Sequence, residues 1–342
     1  FLLLVYVVVL LSGPEARGMG NHFNLARRIG LFGILSLGAG ILIISGGIDL
    51  SMGSVVGLSA TLCALFLEGK TALGREFLRI TGSTNESLTG LFAIGAVLIV
   101  GALIGLLNGL LVTKVRVQAF VVTLCGLFIY RGAARWVGRD SAQGLGVHFP
   151  GLKRVLYSDR QMWGLLEPLN KYLISHQLPA IEVPVSLVLF LILAAIAIVF
   201  LHFSVFGRYL YAIGSNERAA RYSGIATDRY KILAYVLCST LAACFGALLL
   251  MQENSAQPSG TGNFLELYAI AGAVLGGCSL RGGEGNVFGI GFGASILVLL
   301  ADLTNMWEIP SSLEFIVIGG ALLLGATLDE VLRRFGAGRS QR

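Results

Sequence analysis

Long apolar runs separated by short polar breaks dominate this chain. Uncharged or nearly uncharged stretches cover 1–12, 29–48, 51–67, 88–112, 117–137, 185–203, 232–252, 267–280, 285–301 and 311–328. A helix needs about 20 apolar residues to cross the hydrocarbon core of a bilayer. Several of these stretches are shorter, so the pattern predicts tilted, broken or re-entrant helices among about ten membrane segments. The expected fold class is all-α and polytopic, a single transmembrane domain over 1–342 with a weak pseudo-repeat. The opening FLLLVYVVVLL carries no initiator Met, basic flank or cleavage site, and it reads as the later part of a first membrane helix rather than a signal peptide.

Two polar excursions interrupt the pattern. The first, 138–184, carries Tyr157, Trp163 and Tyr172 with Leu-rich spacing, which fits a short amphipathic helix at the membrane interface. It serves either as an external docking surface or as an interfacial packing segment. The second, 204–231, holds Arg208, Arg218, Arg221, Arg229 and Lys231. Within it an alanine-centred helical turn, Asn216 to Tyr222, is closed by Gly224. A short cationic helix along one membrane face is suited to receiving a push from a partner. With ten spans, a cytoplasmic 204–231 loop places Lys114, Arg116, Arg281 and the RRFGAGRSQR tail on the same side, in keeping with the positive-inside tendency of short loops.

Composition narrows the function classes. Of the 342 residues, 55% are hydrophobic and 13% charged, against about 25% charged in soluble domains. The 46 glycines suit membrane helices, where small residues let backbones approach closely. The net charge of +6 reads as membrane orientation, and no aromatic-interleaved basic stripe points to nucleic acid. Cys63, Cys125, Cys238, Cys244 and Cys278 lie scattered in apolar segments, as small buried hydrophobes rather than disulfides or metal ligands. His22, His148, His176 and His202 show no metal-ligand spacing. There is no phosphate loop of the G-x-x-x-x-G-K-[ST] kind, no dinucleotide spacing and no nucleophile–base pairing, so neither an ATP site, a cofactor nor enzymatic chemistry is expected of this chain. No charged ladder of the voltage-sensor or proton-relay type appears either.

Residues of interest therefore lie in the membrane. Gly101, Gly105 and Gly109 form a four-residue ladder, Gly285, Gly289 and Gly293 a second, and Gly53 and Gly57 a shorter third; each is expected to put a smooth face on one helix for backbone packing. Asp49, in SGGIDLS, costs roughly 2.5–3.5 kcal/mol at mid-membrane depth unless it is partnered. It either caps the helix that starts near Ser51 or lines a path across the bilayer. Asn108, Gln118 and Asp302 are candidates of the same kind, and each could instead bond across helices. ILIISGGIDLSMGSVVGLSA (41–60) and AVLGGCSLRGGEGNVFGIGFGA (273–294) both run from an apolar helix through a double glycine into a Gly-rich helix, a weak internal repeat that chance similarity would also explain.

SGGIDLSMGSVVGL, NGLLVTKVRVQAFVVTLCGL, FGRYLYAIGSNERAARYSGI, NSAQPSGTGNFLELYAIAGAVLGG and CSLRGGEGNVFGIGFGASIL occur in that order. Together they resemble the inner-membrane permease subunits of bacterial ABC importers for ribose, xylose and galactose, over nearly the whole chain. The resemblance implies a multi-pass permease in the bacterial inner membrane that works as a homodimer or pseudo-symmetric pair. Its partners would be a cytoplasmic ATPase and a periplasmic sugar-binding protein. It also implies that Gly214, Asn216, Ala219, Ala220, Arg221, Ser223, Gly224 and Ile225 form the ATPase-coupling segment; Asp49, Ser51, Asn108 and Gln118, singled out by their polarity in apolar surroundings, are the candidates for the translocation path. Tyr268 departs from the family pattern where an acid is common, Arg281 and Glu284 depart from it in the following turn, and 138–184 is longer than expected. An importer for branched-chain amino acids or another small polar solute, a stand-alone secondary transporter or channel, and a membrane enzyme acting on lipid-linked substrates are the alternatives. The second would need coupling-ion ligands, and the third convergent acids or histidines near an interface.

Overall fold

The computed structural model describes residues 2–12, 18–72, 74–76, 86–145 and 183–310, with isolated positions between 313 and 327. Residues 146–182, with Tyr157, Trp163 and Tyr172, and most of the final apolar stretch lie outside the described residues. Helices α1 (Leu2–Leu11), α2 (Met19–Ile44), α3 (Met52–Leu67), α4 (Glu86–Thr113) and α5 (Ala119–Val137) come first. After strand β1 (Gln143–Gly144), α6 (Val185–Ile198) runs on into a π-type turn, Val199–Phe203. Then follow α7 (Val205–Ser215), α8 (Glu217–Tyr222), α9 (Thr227–Glu253), β2 (Ser255–Ala256), α10 (Leu265–Leu275) and α11 (Val287–Met306).

Six of the described helices are long and apolar enough to cross a membrane. Helices α3 and α10, at 16 and 11 residues, are the short apolar pieces that the run lengths foretold. Backbone groups in hydrocarbon must be satisfied within the protein, so helix is the expected answer to such a sequence. The centre of the bundle is α3, buried at every residue except Leu62. Around it α9 packs on α2, α3 and α4, α11 packs on α10 and α2, and α6 lies along α2.

Contacts sort the connections to two ends. At one end Lys114 Nζ pairs with Asp228 Oδ2 at 2.8 Å, and Gly283 N–H donates to Ile44 O at 2.9 Å. The turn after α4, the 204–231 loop and the 281–283 turn thus share a side, as alternating spans require. At the other end β1 pairs antiparallel with β2, Gln143 opposite Ala256.

The first glycine ladder forms a helix–helix seam. A Cβ on Gly105 would stand 2.4 Å from Tyr235 O and 2.6 Å from Val236 Cα; one on Gly109 would stand 2.9 Å from Ile232 Cα. Overpacking a filled interior costs typically about 1–3 kcal/mol, and here the obstacle is mostly backbone. Gly105→Val should therefore lower the unfolding temperature of the purified chain in nanodiscs, whereas Gly95→Ala, which would meet nothing within 4 Å, should leave it unchanged. The second ladder needs correction. Gly289 and Gly293 do pack on α10's end, a Cβ at either meeting the carbonyl of Gly276 or Gly272 at 2.0 Å. Gly285, however, precedes the N-cap Asn286 with φ +148° and is not on the helix. Gly53 and Gly57 meet the backbone of Gly262 and Thr261 together with the Glu266 carboxylate from α10 and the Arg131 guanidinium from α5, not a helix backbone. The cysteine expectation holds for Cys63, Cys238 and Cys278, which are buried, while Cys125 is exposed.

Candidate coupling segment and buried polar network

Helix stops in the membrane end share one device. At Ser45-Gly46-Gly47, Gly46 N–H donates to Ile43 O at 2.8 Å and Gly47 N–H to Leu42 O at 3.0 Å, with Gly46 at φ +76°. The same pair of bonds recurs after α10, from Gly277 to Val274 O and from Cys278 to Ala273 O, with Gly277 at φ +89°. After α8, Gly224 donates to Arg221 O and Ile225 to Ala220 O, with Gly224 at φ +83°. All three are left-handed glycine stops that satisfy the last carbonyls of a helix. The two halves of the weak repeat therefore end their first helices in the same way.

The stop of α2 and the 282–283 turn meet at Gly214, near the C-terminus of α7. A Cβ there would lie 2.0 Å from Ile44 O and 2.3 Å from Gly283 N. Tyr211, one turn earlier, donates its hydroxyl to Gly285 O at 2.7 Å. The break between α2 and α3, the turn between α10 and α11, and the end of α7 are thus in backbone contact.

From Gly214 the chain turns directly into α8. Asn216 caps it, its Oδ1 accepting from Ala219 N at 3.0 Å, which is why the turn was legible as Asn216 to Tyr222. An ion network fixes the helix to the body. Arg221 Nη2 reaches Asp228 Oδ1 at 2.9 Å, Thr227 Oγ1 at 3.0 Å and Glu217 Oε1 at 3.2 Å; Lys231 Nζ holds Glu217 Oε2 at 2.6 Å, and Lys114 holds the other oxygen of Asp228. Single exposed pairs contribute little, but here five charges bridge α4, α8 and α9. Arg221 is consequently committed to its own chain, and Ala220 is buried, 5% exposed. The outward surface is instead Arg218, Ala219, Tyr222 and Ser223, with Tyr222 91% exposed. Beside it lies an open cleft of about 690 Å³ lined by Thr113, Arg116, Asn216, Arg218 and Lys231 among others. Sequence reasoning counted Arg218 among the cations of this loop but did not single out Arg218 and Tyr222 as its outward face; on a six-residue helix that face is fixed only once Ala220 is seen to pack inward.

Asp49 sits in the break and is buried, as are Ser51 and Asn108. Its Oδ1 accepts from Ser51 N at 2.8 Å and from Ser51 Oγ at 2.5 Å. Asn108 Nδ2 donates to Ser51 Oγ at 3.2 Å, and Tyr130 donates its hydroxyl to Asn108 Oδ1 at 2.7 Å. Tyr235 donates to Ile48 O at 3.3 Å. Ser239 lies beside the carboxylate without the geometry of a full hydrogen bond, leaving Asp49 Oδ2 and Ser239 Oγ unbonded among the described residues. Asp49 thus shapes the turn that restarts the chain as α3, and ties it through Asn108 and Tyr130 to α4 and α5. Gln118 stays apart, exposed at the N-cap of α5 with no capping bond. Asp302 is also separate, accepting from Asn21 Nδ2 at 3.4 Å. Tyr130, Tyr235 and Ser239 carry no signal in the sequence, because each looks like an ordinary member of an apolar helix. No group of three or more metal-ligating side chains occurs among the described residues.

Apolar helices broken by hydrogen-bonded glycine stops, with the end of α7 packed on the α2–α3 break, define a multi-pass membrane protein. The chain belongs to the family described as branched-chain amino acid transport system permease component, whose pattern matches residues 21–326. It is 33% identical to the ribose import permease protein RbsC of Escherichia coli K12, over 96% of this chain and 91% of that protein. Its identity to the ribose import permease protein RbsC of Bacillus subtilis 168 is 32%, over 96% and 90%. With the xylose transport system permease protein XylH of Escherichia coli K12 it shares 30%, over 92% and 86%. No solved structure matches it.

Proposed function

We propose that this chain is the membrane subunit of an ATP-driven importer that moves a small sugar into the cytoplasm by alternating access. Residues 1–342 form one permease domain in the bacterial inner membrane, with 204–231 facing the cytoplasm and 138–184 outside. Two such subunits, or this one and a related partner, enclose the path. A separate ATPase docks on α8, and a periplasmic binding protein delivers the substrate. The observation that carries this reading is the backbone junction at Gly214: whatever moves α8 must move the α2–α3 break and the 281–285 turn with it. The full-length relatives named for ribose and xylose favour a sugar over the amino acids in the family's description. A partner can shift the chain between states only through contacts that differ between them, and Arg218, Ala219, Tyr222 and Ser223 are placed to make such contacts. Gly214, Asn216, Ala220, Arg221, Gly224 and Ile225 hold the segment in shape, so they act on coupling indirectly.

The test places the chain in nanodiscs with the ATPase encoded beside its gene. Arg218→Glu with Tyr222→Ala should abolish ATPase association and stimulation without shifting the unfolding temperature, since neither side chain supports the fold. Ala220→Arg should disturb both binding and stability. Undiminished ATPase binding by the double variant would refute the docking assignment, and transport without any ATPase would favour a stand-alone transporter.

A further inference from the structure

Non-helical backbone at membrane depth is tolerated only inside protein or along water. After β2 the chain does not start a new helix but descends through 257–264 beside α3. Gly262 packs on Gly53, Thr261 O lies against Gly57, and Arg131 Nη1 donates to Thr261 O. Glu266, buried at the start of α10, sits near the same guanidinium. The segment is thus anchored on its inner side. On its outer side Ser259, Gly260, Asn263 and Phe264 are exposed.

Asn263 lines a cavity of about 210 Å³ between α2, α10 and α11. Arg28 and Phe32 project into it from α2, Tyr268 from α10, and Leu297 and Val298 from α11. The Phe32 and Tyr268 rings lie 5.9 Å apart, tilted by 51°. Arg28 stands about 14 Å along α2 from its first residue, at 1.5 Å per residue, directly before the apolar run that opens at Ile29. Its charge reaches Asp302, yet it makes no hydrogen bond to a described residue.

We propose that this cavity is a station for a neutral polyhydroxylated ring, with Arg28 and Asn263 binding hydroxyls and Phe32 and Tyr268 carrying the apolar face. The chemistry selects within the transporter class. Planar donors and an amide match a rim of hydroxyls, and aromatic faces match C–H-rich ring surfaces. The lining side chains carry no carboxylate to pair with the ammonium group of a zwitterionic amino acid. The inference rests on the sugar-importer reading and assigns it a place.

Proteoliposomes containing the permease, its ATPase and its binding protein, given labelled D-ribose, D-xylose or L-leucine, provide the test. Asn263→Ala and Arg28→Gln should lower sugar moved per ATP hydrolysed about tenfold, the loss of roughly one hydrogen bond to a charged or amide group, while ATP hydrolysis itself stays unchanged. Asn263→Gln should restore part of that ratio. In a Cys125→Ser background, Asn263→Cys should react with a charged, membrane-impermeant thiol reagent and be protected by the transported sugar. Variants with a normal transport ratio, or a cysteine closed to the aqueous reagent, would overturn the site. Uptake of leucine alone by the unmodified complex would instead overturn the sugar reading, separately from the accessibility result.

Discussion

Gly214→Val is expected to abolish ATP-driven uptake, and Gly214→Ala to reduce it severely, with both variants still inserted in the membrane. A side chain at this position has nowhere to go. Its first carbon would sit 2.0 Å from the carbonyl oxygen of Ile44 and 2.3 Å from the amide nitrogen of Gly283, and neither backbone atom can swing aside as a flexible side chain would. Those two atoms are also bonded to each other at 2.9 Å. Relief of the clash therefore separates the α2–α3 break from the 281–285 turn and sacrifices a hydrogen bond worth about 1 kcal/mol, beyond the roughly 1–3 kcal/mol of ordinary overpacking. Stability should fall by a few degrees in a thermal melt of the nanodisc-embedded chain. Coupling should fall much further, because the contact being wedged open is the one through which α8 reaches the membrane breaks. Uptake and ATP hydrolysis measured side by side separate the two effects: hydrolysis that continues without transport is the expected signature. Normal uptake by Gly214→Val would mean that motion reaches the membrane by another route.

How much of this was legible beforehand depends on whether the signal was local. The α8 segment could be read residue by residue, since an asparagine cap and a glycine stop act on the backbone within one helical turn. The 101–105–109 ladder was equally readable, because spacing of four puts glycines on one face whatever the neighbour is. The same spacing misled at Gly285: periodicity counts residues but does not sense that Asn286 starts the helix, or that φ +148° removes Gly285 from it. Asp49, Ser51 and Asn108 were singled out separately on the cost of burying polar groups, and the fold joins them. Gln118 was selected by the same rule and remains exposed, since a sequence position does not disclose depth. Least visible was the descent of 257–264. It falls between two apolar runs, and nothing local discloses that it packs beside α3 until Arg131, fixed on α5, is found holding its backbone.

The second large effect is expected at Asn108. Its amide occupies the middle of a bonded series, donating to Ser51 Oγ and accepting from the Tyr130 hydroxyl, with the Asp49 carboxylate beyond. Asn108→Leu keeps the side-chain size but strips both bonds at a buried position, leaving the Tyr130 hydroxyl without its acceptor. At roughly 1–3 kcal/mol for each buried group left unsatisfied, the loss should be about 2–5 kcal/mol, a large share of the stability of a typical domain. Tyr130→Phe removes the donor instead and should cost only about 1 kcal/mol. The decisive quantity is their combination. In a linked network, Asn108→Leu with Tyr130→Phe should be less destabilising than the sum of the single changes, by about 0.5–3 kcal/mol, because the second removes the group that the first orphans. Asp49→Ala should resemble Asn108→Leu in uptake, since either change frees the start of α3 from α4 and α5. Denaturant titration of the four proteins in one lipid composition yields the cycle. Strict additivity would show that Asn108 and Tyr130 stabilise their helices independently, and the α2–α3 break would then be held without their pairing, by Asp49, Ser51 and the Tyr235–Ile48 bond.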